Sequence, residues 1–528
     1  MNDAPAESFT VSSDAGLNRR RWRRTLFDAL LDGRKAFGGR HGIVAGSDGP
    51  TLTYDRLVLA SMVLGRALAG QTRRGERVGL LLPNVTSVAA AFFALIGFGR
   101  VPAMLNFSAG IRSLGIAAKT AGIETVVTSR AFVRQPDLEA AVEALSVNAK
   151  IIYLEDVRAG LTWLDKLRGL FDAKRARSLH KRLGITPDDV AVMLFTSGSE
   201  GDPKGVALSH ANLLANCEQF LTMLSLTAKD RIFNALPVFH SFGLTTGLLA
   251  PIVIGMRTFL YPSPLHYKQI PPLVRQSGAT ILTGTDTFAA GWARAADADD
   301  FASLRLVFLG AEKVKDTTRA LWRERFGLEI FEGYGATEAA PVIAANTADH
   351  HCDGSVGKLM PGLEVRLEPV TGIDHGGRLH VRGPNVMAGY MRHENPGVIE
   401  PPADGWHDTG DIVTIDDDGF FFIRGRAKRF AKIGGEMVSL AAVEAYCSEV
   451  WPDNAHAVAA IAHPRKGETL VLVTDQPDPE RAALLDWARA HGVSELMIPK
   501  TIVTVDTLPV MGTGKIDYPA IQKIAAAG

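Results

Sequence analysis

Cysteine is scarce in this chain of 528 residues: Cys217, Cys352 and Cys447 are the only three, and they lie far apart. That number and spacing exclude a disulfide scaffold and a clustered cysteine metal site, and they fit a reducing, cytoplasmic setting. Surplus charge is missing as well. Lys plus Arg and Asp plus Glu both total 57, so the formal net charge is zero, and nothing global points to nucleic acid as a partner. Long uninterrupted hydrophobic runs are also lacking. The most apolar stretches, residues 86–106 and 235–262, are broken by Pro, Gly, Asn, His or Arg, which predicts buried strands and helices rather than membrane spans. The basic cluster Arg19 to Arg24 is followed by a segment interrupted by Asp28 and Asp32, which is no secretory h-region.

The composition that remains is globular, with 46% hydrophobic and 22% charged residues. The length suits two or three domains. Residues 1–23 are expected to be a flexible N-terminus. From residue 24 to about 424, short apolar runs alternate with longer amphipathic stretches; examples are residues 77–82, 125–127, 151–154, 280–282 and 306–309. This alternation predicts an α/β fold with mostly parallel sheets. Residues 378–383 and 411–424 look like antiparallel hairpins, with a turn at Asp416–Gly419. A boundary is expected near Arg426, dividing a large domain, 24–426, from a small α+β domain, 427–528. Residues 156–186 stand apart, because Lys and Arg are interleaved there with Leu161, Trp163, Leu164, Leu167, Leu170 and Phe171. Such a segment is either a solvated linker helix or a basic amphipathic surface for an acidic partner or anionic lipid.

The most telling stretch is Thr196-Ser197-Gly198-Ser199-Glu200-Gly201-Asp202-Pro203-Lys204-Gly205, which follows the apolar run Ala191–Phe195. Glycines let backbone N–H groups approach an oxyanion, and hydroxyls and one lysine add donors, so this loop can clamp phosphates. It does not fit G-x-x-x-x-G-K-[ST], and its plain reading is a solvated turn. Five further segments join it. His240 sits among aromatics in Pro237–Gly243, where a packed core histidine is the plain reading. Gly310, Ala311 and Glu312 end a buried strand, where α/β sheets place ligands. Gly333, Tyr334, Gly335, Thr337 and Glu338 supply an aromatic for a base, a hydroxyl for a phosphate and a carboxylate for Mg²⁺; otherwise they form a glycine-rich loop. Asp411 can hold ribose hydroxyls or merely belong to a β-turn. Lys515, in Met511-Gly512-Thr513-Gly514-Lys515, is a mobile catalytic cation or one more surface lysine.

Taken together, in this order and spacing, these motifs resemble the adenylate-forming superfamily, also called AMP-binding or acyl-CoA synthetase-like enzymes, from about residue 24 to 520. Residues 194–201, Tyr261–Tyr267 and Arg426–Leu440 further resemble the acyl-[acyl-carrier-protein] synthetase half of bifunctional 2-acylglycerophosphoethanolamine acyltransferases. No acyltransferase domain stands ahead of the ligase, so lysophospholipid acylation by this polypeptide alone is not expected. The resemblance implies a large N-terminal domain of αβ sheets with a β subdomain, followed by a mobile C-terminal lid. It implies a fatty acid ligase that uses ATP and Mg²⁺ to form an acyl-adenylate. The acyl group then passes to the phosphopantetheine thiol of acyl carrier protein or to coenzyme A.

The roles implied by the resemblance follow residue by residue. Thr196, Ser197, Gly198, Ser199, Gly201 and Lys204 wrap the β- and γ-phosphates. Gly310, Ala311, Glu312, Gly333, Tyr334 and Gly335 line the nucleotide, with Tyr334 on adenine. Thr337 donates to the α-phosphate and Glu338 holds Mg²⁺. Asp411 accepts from the ribose hydroxyls, and Arg426 supports the ribose or phosphate. Lys515 contacts the carboxylate and α-phosphate, Lys428 is the hinge of the lid, and His240 lies near the acyl-adenylate. Phe239, Phe242, Leu244 and residues 283–292 are candidates for an apolar acyl pocket. The expected setting is cytoplasmic, with peripheral contact at the inner membrane face as a further expectation. A fatty-acyl-AMP ligase without thioester product is the same-fold alternative, and a catalytically silent membrane-recruiting protein is the different-class one. The set Lys204, Glu338, Asp411, Arg426 and Lys515 argues against silence, because a scaffold needs none of them.

Overall fold

The apolar runs become the inner strands of two mixed sheets in the computed structural model, which describes residues 9–12, 16–197, 203–370, 376–433, 436–463, 467–510 and 516–527. The chain divides into two compact units. One comprises Ser12–Leu363 and Arg382–His407; the other comprises Met1–Val11, Glu364–Val381 and Asp408–Gly528.

In the larger unit, the described strands form two sheets. In the first, the parallel strands Leu306–Gly310, Ile281–Gly284, Arg231–Asn234 and Arg257–Leu260 lie side by side, with Ile330–Gly335 joining beyond Leu306–Gly310. The inner strands Ile281–Gly284 and Leu306–Gly310 are buried on both faces, as parallel strands covered by helices must be, and Phe233, Trp292, Phe301 and Trp322 fill the core beside them. In the second sheet, Lys150–Tyr153, Thr125–Thr128, Arg77–Leu80, Val101–Met104 and Val190–Ser197 are parallel, and Pro203–Ser209 pairs antiparallel to Val190–Ser197 at one side. Crossover helices start at side-chain caps. Ser209 forms a reciprocal capping box with Asn212 at the helix His210–Leu224, and Thr285 caps Asp286–Ala295.

The two apolar stretches become the helix Thr86–Gly97 with the strand Val101–Met104, and a helical run from Ser241 to Ile254 with the strand Arg257–Leu260. No helix among the described residues is long and apolar enough to cross a membrane. The smaller unit holds an antiparallel sheet that includes Glu364–Glu368, Gly377–Arg382, His407–Ile415 and Phe421–Arg426. Its C-terminal part packs Leu440–Val450 and Arg481–Ala490 over the strands His456–His463 and Gly467–Thr474.

Three local expectations differ from the structure. Residues 19–22, read as part of a loose terminus, form a short helix capped by Asn18, and Arg21 pairs with Glu218 at 3.3 Å. The segment Glu332–Gly335, for which a glycine-rich loop was the plain reading, continues the strand Ile330–Gly335, because it pairs with both Leu306–Gly310 and Val342–Ala345. Asp411, for which a β-turn was the plain reading, lies within the strand His407–Ile415.

Candidate functional site

In the larger unit, Thr196 and Lys204 face each other across the antiparallel hairpin. The next strand, Gly389–Arg392, pairs with Pro203–Ser209. From it, Tyr390 places its ring 5.8 Å from the Lys204 ammonium. The Tyr390 hydroxyl donates to Glu338 Oε1 at 2.6 Å, while the Met387 N–H donates to the Glu338 carbonyl at 2.7 Å. One strand thus ties Lys204 to the Glu338 carboxylate.

The turn Thr337–Ala339 that carries Glu338 is held from behind by buried amides. Asn385 Nδ2 donates to the Ala339 carbonyl at 2.7 Å and Asn216 Nδ2 to the Val342 carbonyl at 2.9 Å, while the Val342 N–H donates back to Asn216 Oδ1. Gln219 Nε2 joins them by donating to Asn385 Oδ1 at 3.1 Å. All three amides are fully buried. They satisfy main-chain groups that secondary structure leaves open at this turn, where an unmade bond is costly. The turn ends at Ala340 with φ of 64°, a strained region for a residue with a Cβ that persists only where the surroundings enforce it.

The residue after His240 reaches this turn: Ser241 Oγ donates to Thr337 Oγ1 at 3.3 Å. The Pro237–His240 loop hangs on Asn84, which accepts from the Val238 N–H and donates to the Leu236 carbonyl. Phe239 packs 4.7 Å from the His240 ring and 4.8 Å from Phe107. Of the acyl-pocket candidates, Phe239 and Leu244 are buried and Phe242 packs on Phe308. Phe288 and Trp292, by contrast, are core residues, with the Trp292 indole N–H donating to the Pro264 carbonyl.

Gly310 ends its strand and Ala311 follows with φ of 69°, again an unusual backbone at a strand terminus. Glu312 Oε2 accepts from both the N–H and the hydroxyl of Thr287 at the start of a helix, so its carboxylate neutralises that helix N-terminus. Two of the glycines have packing reasons. A Cβ at Gly333 would meet the Phe308 ring at 2.3 Å, and one at Gly335 would meet the Pro341 carbonyl at 2.0 Å. Tyr334, between them, is half-buried. Behind this strand Glu332 is paired with buried Arg319; burial pushes the Glu332 carboxyl up, and the guanidinium opposes the shift.

In the smaller unit, Asp411 and Arg426 are register partners on adjacent strands, with Arg426 Nε 3.2 Å from Asp411 Oδ1. The carboxylate is nearly buried and the guanidinium is exposed. Lys428 occupies the single turn Ala427–Arg429. The next residue, Arg429, is locked down by Glu444 at 2.8 Å and by Tyr518, whose ring centroid lies 3.6 Å from its guanidinium carbon. Gly198, Ser199, Gly201 and Lys515 lie outside the described residues, as does the side chain of Ser197.

The structure therefore gathers Thr196, Lys204, Thr337 and Glu338 within one unit and brings Asp411 to Arg426 in the other. Sequence reasoning missed Tyr390, Ser241 and the amides Asn84, Asn216, Gln219 and Asn385. Asn385, in Gly383-Pro384-Asn385, reads locally as a turn residue, and nothing local marks the other five. Hard oxygen donors suit Mg²⁺, which takes one or two carboxylates and completes its shell with phosphate oxygens and water. Glu338 fits that pattern, and no cluster of three or more metal-ligating side chains occurs among the described residues.

Comparison with known proteins places the chain in a family. The family described as AMP-binding enzyme matches residues 34–391. A feruloyl-CoA synthase of Amycolatopsis sp is 31% identical over 501 residues, covering 92% of this chain and 96% of that protein. A long-chain-fatty-acid–CoA ligase of Salmonella typhimurium is 28% identical over 483 residues, covering 84% of each. Among solved structures, ATP-bound MatB from Rhodopseudomonas palustris superposes with a TM-score of 0.81 at 25% identity, covering 95% of this chain and 98% of that one. The o-succinylbenzoate CoA synthetase of Bacillus subtilis shares the fold, with a TM-score of 0.79 at 21% identity, covering 94% of this chain and 97% of that one.

Proposed function

Because the chain belongs to the AMP-binding enzyme family, we propose that it is an ATP-dependent ligase that activates a carboxylic acid as its adenylate and transfers the acyl group to a pantetheine thiol. The observation that carries this reading is the link from Lys204 through Tyr390 to Glu338, with Thr337 on the same turn. It sets a cation, a hydroxyl and a carboxylate within one polar cluster.

In the first step a carboxylate oxygen attacks the α-phosphorus of ATP, the bond to the bridging oxygen breaks, and pyrophosphate leaves. Two anions must meet, so catalysis rests on charge neutralisation and alignment. Lys204 and the Thr196 hydroxyl hold the terminal phosphates, with Ser197, Gly198, Ser199 and Gly201 completing the loop. Thr337 donates to the α-phosphate. Mg²⁺, when bound at Glu338, supplies positive charge to the phosphate oxygens. Tyr334 covers the adenine beside Gly310, Ala311 and Glu312. Asp411 accepts from the ribose hydroxyls, Arg426 supports the ribose or phosphate, and Lys515 steadies the attacking carboxylate.

In the second step a thiol sulfur attacks the acyl carbon, the carbon–oxygen bond to AMP breaks, and the thiol proton passes to solvent. Lys428 is the hinge between the two steps, and His240 lies on the acyl side. The acid we favour is a fatty acid, in keeping with the long-chain ligase relatives and with the aromatic residues Phe107, Phe239 and Phe242 near His240. The acceptor is coenzyme A or acyl carrier protein. The test is ATP–pyrophosphate exchange as a function of added acid, followed by the complete reaction with each acceptor alone. Fatty-acid-dependent exchange supports the first step, and its absence with every acid sinks the proposal. Exchange without product from either acceptor would leave an acyl-AMP ligase.

A further inference from the structure

The helix Trp163–Lys174 is amphipathic in an inverted sense. At about 100° per residue, Asp165, Gly169, Asp172 and Ala173 share one face. That face is the one turned to the protein. A Cβ at Gly169 would lie 2.2 Å from Val63 Cγ2, Asp172 accepts from Arg66 Nε at 2.8 Å, and the Ala173 carbonyl accepts from Arg34. The opposite face carries Trp163, Leu164, Leu167, Leu170 and Phe171 within an arc of about 120°. Trp163 is 66% exposed, Phe171 64%, and the three leucines 43–49%. Among the described residues, five of the twelve exposed large hydrophobics thus stand on one helix of twelve residues.

Charge borders this arc. Lys166 and Arg168 fall about 40° beyond its two edges. Lys174 falls within the arc but at the C-terminal end of the helix, where it leads into a shallow groove of about 630 Å³, lined also by Arg175, Arg177, Ser178, Lys181 and Arg182. Arg177 is paired with Asp28 and Asp32. Lys174, Arg175, Lys181 and Arg182 have no carboxylate at ion-pair distance among the described residues, so their charge remains for an external anion.

We propose that this helix is an interfacial docking element that seats the protein on an anionic lipid bilayer. Trp163, Leu164, Leu167, Leu170 and Phe171 enter the acyl boundary, while Lys166, Arg168, Lys174, Arg175, Lys181 and Arg182 meet the headgroups. An apolar centre with cationic edges is the pattern of helices that lie in a membrane surface, and basic side chains beside it add attraction to anionic lipid. An acidic protein would call for cations at the centre of the contact rather than at its edges. A second copy fits poorly, because the helix is only about 18 Å long. A two-fold contact would also set like-charged edges together.

The experiment is flotation of the full chain with phosphatidylcholine vesicles, with and without phosphatidylglycerol. The parent is expected to float with the anionic vesicles, less so as salt rises, and its tryptophan emission should shift to the blue on binding. The shift should vanish in W163F. The W163S/F171S variant should partition about a hundredfold less, and K174E/R175E at least about thirtyfold less into anionic vesicles only. ATP–pyrophosphate exchange with a water-soluble acid should stay unchanged in all of them. A parent that remains in the aqueous fraction, or a W163S/F171S variant that floats as the parent does, overturns the proposal. So does an effect of these substitutions confined to self-association or to the KM for acyl carrier protein.

Discussion

Tyr390 donates its hydroxyl to Glu338 Oε1 across 2.6 Å, and the same segment donates the Met387 N–H to the Glu338 carbonyl. The carboxylate proposed to hold Mg²⁺ is therefore oriented from both its side chain and its main chain by one stretch of the chain, residues 387–390. That stretch also pairs with the strand bearing Lys204. A hydrogen bond to a charged group is worth about 1.5–3 kcal/mol.

Tyr390→Phe should therefore raise the Mg²⁺ concentration needed for half-maximal adenylation by about tenfold, with little change at saturating metal. Glu338→Gln should have the larger effect, because it removes a ligand charge and not only its orientation. Magnesium titrations of pyrophosphate exchange make the comparison. A Tyr390→Phe curve that overlays the parent would show that the hydroxyl does not position Glu338.

Asn385→Leu tests the amide clamp. The replacement strips the Ala339 carbonyl of its donor and leaves one of the two Gln219 Nε2 hydrogens unmet in the core, the other staying on the Pro361 carbonyl. Burying such unmet groups costs about 1–3 kcal/mol each, so urea unfolding should reveal a loss of about 3 kcal/mol together with slower adenylation. Loss of stability with adenylation unchanged would mean that the clamp supports the fold but not the Thr337–Glu338 turn.

Lys428 sits between two anchored arginines, Arg426 on Asp411 and Arg429 on Glu444. As a hinge it should tolerate Ala. Pro fixes φ near −65°, so Lys428→Pro should slow thioester formation from supplied acyl-adenylate by about tenfold or more, while changing adenylation little. Equal loss in both half-reactions removes the hinge assignment.

Stability should fall in mild acid because of His210. Burial drives its imidazole down to about 3, with neighbouring His180 contributing, and Nδ1 accepts from the Leu26 N–H at 3.1 Å. A folded value below the ordinary 6.5 means that this contribution is complete above pH 6.5 and is lost as pH falls toward 3. The slope should approach about 1.4 kcal/mol per pH unit for one proton. His210→Asn should flatten the urea-derived stability curve between about pH 6.5 and 4 by about that amount. A curve with undiminished slope would place the sensitivity elsewhere.

Local pattern determined much of this protein. Short apolar runs between amphipathic stretches specify an α/β fold, because strand burial and helix periodicity are written in neighbouring residues. Strands expected near 77–82, 125–127, 151–154, 280–282 and 306–309 are present, as is the hairpin turning after Asp416. The Gly/Ser/Thr loop with Lys204, the Thr337–Glu338 pair and Asp411 stood out in the sequence because the phosphate, metal and ribose roles proposed for them call for particular side chains at short spacing.

Tertiary structure decided what local spacing cannot encode. Tyr390 meets Glu338 across 52 residues, and Asn216 meets Val342 across 126. Such polar contacts depend on which strands become neighbours. Phe288 and Trp292 looked like pocket residues but fill the core, since an apolar side chain carries no mark of whether protein or ligand will cover it. The face of the Trp163–Lys174 helix is the converse case. Its periodicity was legible, but an amphipathic pattern does not say which side meets the protein; the close approach of Gly169 to Val63 turned the small face inward and left the aromatic one outside.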